Sequence, residues 1–238
     1  LLKGEDYPSA IEQLDGLLAS LDSTRDAQLW TVALLRGARL RALQSEHKIA
    51  LNYLRSKPWP DNPLANTVLR IATASEIEHY LNHKSWSLVP HSGRNEALAS
   101  THANQYHQLI TELDDHYQSA LTDSIEKATT LKQASVYFTA SEYPAHVRGF
   151  LGDLVARRWK EFLSDDLYWS PRHQKQLSHM SLATLINSEL EAHKSPSDHH
   201  PLVRIKLIAE QLFTWHQSAG RHHPSHPAIH ATAALSDG

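Results

Sequence analysis

Glu76, His79 and His83 stand three and four residues apart, so a helix through them carries one carboxylate and two imidazoles on a single face. Carboxylate and imidazole ligate zinc and iron, and Glu-x-x-His is half of the ligand pattern of helical di-iron proteins. That pattern needs a second Glu-x-x-His and two more carboxylates, and Glu76-Ile77-Glu78-His79 is the only such string in the chain. A solvated polar face beside a loop has the same spacing. No metal ligand is therefore assigned, and no cofactor.

The C-terminal stretch SAGRHHPSHPAIHATAALSDG holds His222, His223, His226 and His230. Its histidines are interrupted, unlike those of a purification tag, and the residues after them suit a helix. Ser225 and Pro227 can cap and open that helix, with Ala228, Ala231 and Leu235 inward. His226 and His230 then lie one turn apart, a pair that binds metal adventitiously but does not make a structural zinc site. His102, His107 and His116 share another segment, where 102 and 107, five apart, point to different faces. His199-His200 precedes Pro201 and is expected to close a loop and begin a helix.

Catalytic motifs are missing class by class. There is no Gly-rich phosphate loop, no His-Glu-x-x-His and no Gly-x-Ser-x-Gly. Two Ser-x-x-Lys strings occur, Ser45 to Lys48 and Ser124 to Lys127, but neither is followed by Lys-Thr-Gly, and chance explains both. The absence of cysteine removes disulfides, thiolate nucleophiles and Cys-type zinc sites. The expectation is a protein that is not an enzyme, with no catalytic residue assigned and its binding residues unknown.

Composition bounds the scaffold that carries these groups. A chain of 238 residues, 41% apolar and 21% charged, has the makings of a sizeable core. The net charge of −3 gives no basic footprint for nucleic acid. The eighteen histidines are the anomaly, because their protonation in mild acid would reverse that charge. No run reaches the length of a membrane span, and no secretory signal opens the chain. With Leu1 first and Met180 the only methionine, the chain is expected to be a piece of a longer polypeptide.

Apolar residues recur at three and four between clusters of proline, which predicts helices over about 8–21, 26–44, 46–57, 64–83, 95–131, 145–163, 182–192 and 201–219. Val136-Tyr137-Phe138 is the one β-like triplet and is too short to carry a sheet. The fold class is all-α: antiparallel hairpins stacked as an irregular tetratricopeptide-like solenoid of about eight to ten helices. The expected organisation is a single helical domain over 1–238, with repeat-like hairpins over roughly 1–90 and longer, uneven helices over roughly 91–238. In the Trp-Pro loops, Trp59 and Trp169 are expected to bury their rings against the next hairpin.

Three stretches carry a resemblance. They are YLRSKPWPD (53–61) with HKSWS (83–87), EYPAHVRGFLGD (142–153) continuing into FLSDDLYWSP (162–171), and HPLVR (200–204) through WHQSAGR (215–221). In order, over about 53–221, they resemble the helical region near the N-terminus of large bacterial alpha-2-macroglobulin-family proteins. That resemblance implies an exported, envelope-associated or periplasmic protein whose relatives trap proteases by a cleaved bait segment and a Cys–Gln thioester. A stretch without cysteine cannot hold the thioester, so the resemblance implies a non-catalytic scaffold module with the inhibitory chemistry elsewhere. The partners so implied are other domains of the same polypeptide, another envelope protein or a peptide. Two further readings stay open: a free-standing peptide-binding adaptor, and a helical metal-binding protein using its histidines.

Overall fold

The computed structural model describes residues 6–44, 47–88, 96–138, 149–181, 183 and 199–220. The protein is all-α. Among the described residues the α-helices are α1 (Tyr7–Ser20), α2 (Ala27–Gln44), α3 (His47–Ser56), α4 (Pro63–Leu88), α5 (Glu96–Glu126), α6 (Leu131–Ala134), α7 (Leu151–Ser164), α8 (Pro171–Leu177) and α9 (Pro201–Gly220). The chain divides into two compact units, one of residues 1–123 and 134–139, the other of 124–133 and 140–238.

In the first unit α1 packs on α2, α2 on α3 and α3 on α4, and α2 also meets α4. Local sequence sets the breaks. Asp6 caps α1 by accepting the Ser9 N–H at 3.2 Å, with Pro8 in the first turn. After α1, Asp22 accepts the Thr24 and Arg25 N–H groups and turns the chain into α2. Those two bonds, Arg25 first, hold the Asp22 carboxyl below the usual range. Asn62 caps α4 through the Ala65 N–H at 3.0 Å. The core these turns permit is Leu18, Trp30, Ala33, Leu34, Ala38, Ala50, Tyr53, Leu54 and Leu69.

One close approach in this core depends on a missing side chain. A Cβ on Gly37 would lie 2.7 Å from the Tyr53 hydroxyl oxygen. That hydroxyl donates to Asp15 at 3.2 Å, and Arg41 lies 3.7 Å over the ring while bonding Asp15 at 2.6 Å. Burial, and then the Asp15 charge, push the phenol up to about 12. Gly37→Ala improves helix propensity by about 1 kcal/mol, yet displacing Tyr53 from this knot costs about 1–3 kcal/mol. Net destabilisation is expected in urea unfolding, with partial recovery in Gly37→Ala/Tyr53→Leu.

In the second unit α7 packs against α9. The predicted helix over 95–131 ends five residues early, at Glu126. Ala128 takes a left-handed φ of 45°, its N–H bonds to the Ile125 carbonyl, and the Thr129 N–H bonds to the Ser124 carbonyl. This is a Schellman stop built on alanine in place of glycine, at a cost of about 1–2 kcal/mol. Thr130 then opens α6, its hydroxyl accepting the Gln133 N–H while the Gln133 side chain accepts the Thr130 N–H.

The helix expected over 145–163 begins instead at Leu151. Extended backbone at Phe150 bridges to Thr130, with the Leu131 N–H bonding Gly149 O and the Leu151 N–H bonding Thr129 O. Val136-Tyr137-Phe138 lies in turns and a bend. The stretch 139–148, nearly all of the predicted helix over 182–192, and 221–238 with its four histidines lie outside the described residues.

Both Trp-Pro loops are used as helix stops. The Trp59 indole N–H donates to Leu54 O at 3.0 Å and that of Trp169 to Leu163 O at 2.9 Å, so each satisfies a carbonyl in the last turns of the helix before it. Each ring is half-buried. The buried tryptophan beside the first of these loops is Trp30, which donates to Pro58 O at 3.0 Å.

Candidate functional site

The face singled out by Glu76, His79 and His83 lies on α4, and α3 contributes a fourth group to it. His47 places Nδ1 2.8 Å from Glu76 Oε2, with the two side chains 22% and 16% exposed. Its ring stacks on His79 at a centroid distance of 5.0 Å and tilts against His83 at 4.8 Å. His83 Nδ1 lies 2.9 Å from the His79 backbone carbonyl. A carboxylate and a carbonyl only accept, so Nδ1 of both His47 and His83 carries the proton. Three imidazoles and one carboxylate thus occupy one patch. As the side chains stand, no group of three or more His, Cys, Asp or Glu among the described residues is arranged to hold a metal ion.

A second polar cluster joins α3 to α5. Arg55 forms a bidentate pair with Glu112, its Nε donating at 2.9 Å and its Nη2 to the other oxygen. His116 lies 3.7 Å from the same carboxylate and its ring centre 6.0 Å from that of Trp59. His116 and then Arg55 hold the Glu112 carboxyl below its usual range against the opposing effect of burial. Beside it runs an open polar groove lined by Arg70, His107, Gln108 and Asp115, where Arg70 Nε is buried without a partner. His107 is exposed here, and the side chain of His102 lies outside the described residues.

The second unit holds two buried histidines with defined work. His216 donates from Nε2 to Asp153 at 2.7 Å, joining α9 to the first turn of α7 beside Phe150 and Trp215. His200 is the N-terminal cap of α9. Its Nδ1 accepts the Leu202 N–H at 3.1 Å and its Nε2 donates to His173 O at 3.2 Å, which defines a neutral ring protonated on Nε2. The expected loop-to-helix role of His199-His200 is met by His200. Nearby, Trp169 packs edge-on against the His200 ring at 4.8 Å.

Burial, opposed by the His173 bond, lowers the His200 pKa below 6.5. The unfolded chain therefore binds this proton more readily, so the stability this residue contributes is complete above about pH 6.5 and is lost as pH falls through the folded value. Protonation also removes the acceptor for Leu202. Urea midpoints at about pH 7.5 and about pH 5 are expected to fall less for His200→Asn, which caps without titrating, than for the parent. Equal falls would show that this cap does not titrate with folding.

An apolar groove on the first hairpin is lined by Ala10, Leu14, Leu17, Leu40 and Leu43, flanked by Arg36 and Arg39. Leu17 and Leu43 are 37% and 62% exposed. Leu14, Leu17, Leu40 and Leu43 fall at the apolar spacing of their helices, yet part of that surface faces outward. Among the described residues no helix is long and apolar enough to cross a membrane.

No protein-family model matches the chain, and no curated protein or solved structure shows significant similarity to it.

Proposed function

We propose that this chain is a non-catalytic helical scaffold and interaction module of a large bacterial alpha-2-macroglobulin-like envelope protein, with the protease-trapping chemistry in other parts of that polypeptide. The observation that carries the scaffold reading is the serial packing of α1 to α4 around one core, with α2 reaching α4. Its polar side chains join helices: Asp15 to Arg41 and Tyr53, Arg55 to Glu112, His47 to Glu76. Stacked hairpins of this kind present surfaces rather than reactive centres. The envelope assignment rests on the resemblance of the Trp-Pro and Tyr-Pro loops.

The test is a full-length polypeptide with and without residues 1–238, challenged with a protease. Capture is expected to persist without the segment. Loss of capture by a folded truncated protein would place the segment in the trapping chemistry.

The groove of Leu14, Leu17, Leu40 and Leu43 favours a second reading, a free-standing adaptor for an apolar peptide with acidic flanks that meet Arg36 and Arg39. Leu17→Glu/Leu43→Glu separates the two. In the adaptor it abolishes peptide binding, whereas in the scaffold it acts only when the remainder of the polypeptide is present.

A further inference from the structure

We infer that the polar groove between α4 and α5 binds an extended peptide segment, seating an acidic side chain of that segment on Arg70 and a basic one against Asp115. Arg70 comes from α4, while Asn104, His107, Gln108, Thr111 and Asp115 recur at three and four along one face of α5. Tyr117 ties the two helices, its hydroxyl donating to Glu78 at 3.4 Å. The groove encloses about 730 Å³, room for a ligand rather than for a few waters.

Arg70 is the anchor because the fold leaves it unused. Its Nε is enclosed and unbonded, and no other nitrogen of the side chain has a hydrogen-bond or ion-pair partner among the described residues. Two carboxylates line the same groove without neutralising it. Glu112 is taken by Arg55 and His116, and the exposed Asp115 side chain bonds to no described residue. With Nε enclosed, the terminal Nη pair is the part a ligand can reach, and that planar fork matches a carboxylate.

The α5 side of the groove narrows the class of ligand. Asn104 and Gln108, exposed and one turn apart, each carry an amide that both donates and accepts, as a peptide backbone does. From Asn104 to Asp115 the stripe runs about 16 Å by helical rise. That is the length of about five residues of extended chain. Glu112 and Asp115 repel a nucleic-acid strand, whose repeated phosphates Arg70 alone does not offset. The unpaired Asp115 instead complements a cation on the same segment. This site rests on the interaction-module reading and supplies the partner's chemistry. Synthetic peptides probe it whatever polypeptide the chain belongs to, so the two can fail separately.

The experiment immobilises the full chain and pans it with two libraries of capped hexapeptides, one with a fixed central Glu and one with a fixed central Gln. Preferential retention of the Glu library is expected, with Lys and Arg enriched at its randomised positions. For a selected peptide, Arg70→Met should weaken binding on the order of tenfold, and Arg70→Lys, which keeps the charge without the fork, by less. Asp115→Asn, an exposed change that leaves the fold intact, should keep the Glu preference and lose the enrichment of Lys and Arg. The melting temperature of Arg70→Met is expected to be no lower than the parent's, because its guanidinium has no bond to lose. An Arg70 that serves only packing would instead lower the melting temperature and leave the Glu preference unchanged. Equal retention of both libraries, or an unaltered Glu preference in a folded Arg70 variant, would overturn the site. Enrichment of Lys and Arg that survives Asp115→Asn would overturn the Asp115 contact, and retention of an oligonucleotide through Arg70 would overturn the peptide assignment.

Discussion

Trp30→Ala is expected to destabilise the first unit by about 3–5 kcal/mol, as aromatic truncations in packed cores do. The ring is 7% exposed and shares its cluster with Leu18, Leu34, Leu54 and Leu69. Its indole N–H also holds Pro58 O at 3.0 Å, so truncation leaves that carbonyl without its donor where the chain leaves α3. Trp30→Phe separates the two contributions. It keeps most of the packing and loses the bond, at an expected cost of about 1 kcal/mol from the bond itself. Chemical denaturation followed by far-UV circular dichroism measures both. A Trp30→Ala loss below about 1 kcal/mol would place the ring outside the core.

Phe162→Ala is expected to cost the second unit about 3–5 kcal/mol. Phe162 is 2% exposed and packs against Tyr168 with ring centres 4.6 Å apart, holding the short 3-10 turn Asp166–Tyr168 to the end of α7. Trp169, the residue directly after this 3-10 turn, is the useful contrast. The Trp-Pro motif predicts a buried ring there, and the ring is half-buried with its N–H on Leu163 O. Trp169→Ala should therefore cost about 2–3 kcal/mol, less than Phe162→Ala, by partial burial plus one hydrogen bond. The reverse order in matched urea titrations would contradict this packing.

Helical class was legible because apolar spacing is a local property, whereas the short α8, opened by the Ser170 cap, falls outside the helices that spacing predicts. The end of α5 was not legible. Ala128 adopts the left-handed conformation that glycine ordinarily supplies, so nothing in residue type marks the stop. Nor was the start of α7, where a backbone bridge between Thr130 and Phe150 holds the chain extended. The candidate site divides the same way. Glu76, His79 and His83 declare their shared face by spacing, whereas His47 reaches them only through the packing of α3 on α4. His216 and Asp153 meet across 63 positions, and neither residue is distinctive alone. Tertiary partners of this kind leave no periodic trace.

Membership of an alpha-2-macroglobulin-like envelope protein is tested most directly by sequencing the reading frame that encodes these residues. Repeated β-sandwich domains are expected immediately after residue 238, in one continuous frame. A stop codon soon after Gly238 would contradict the scaffold assignment and leave the adaptor reading in its place.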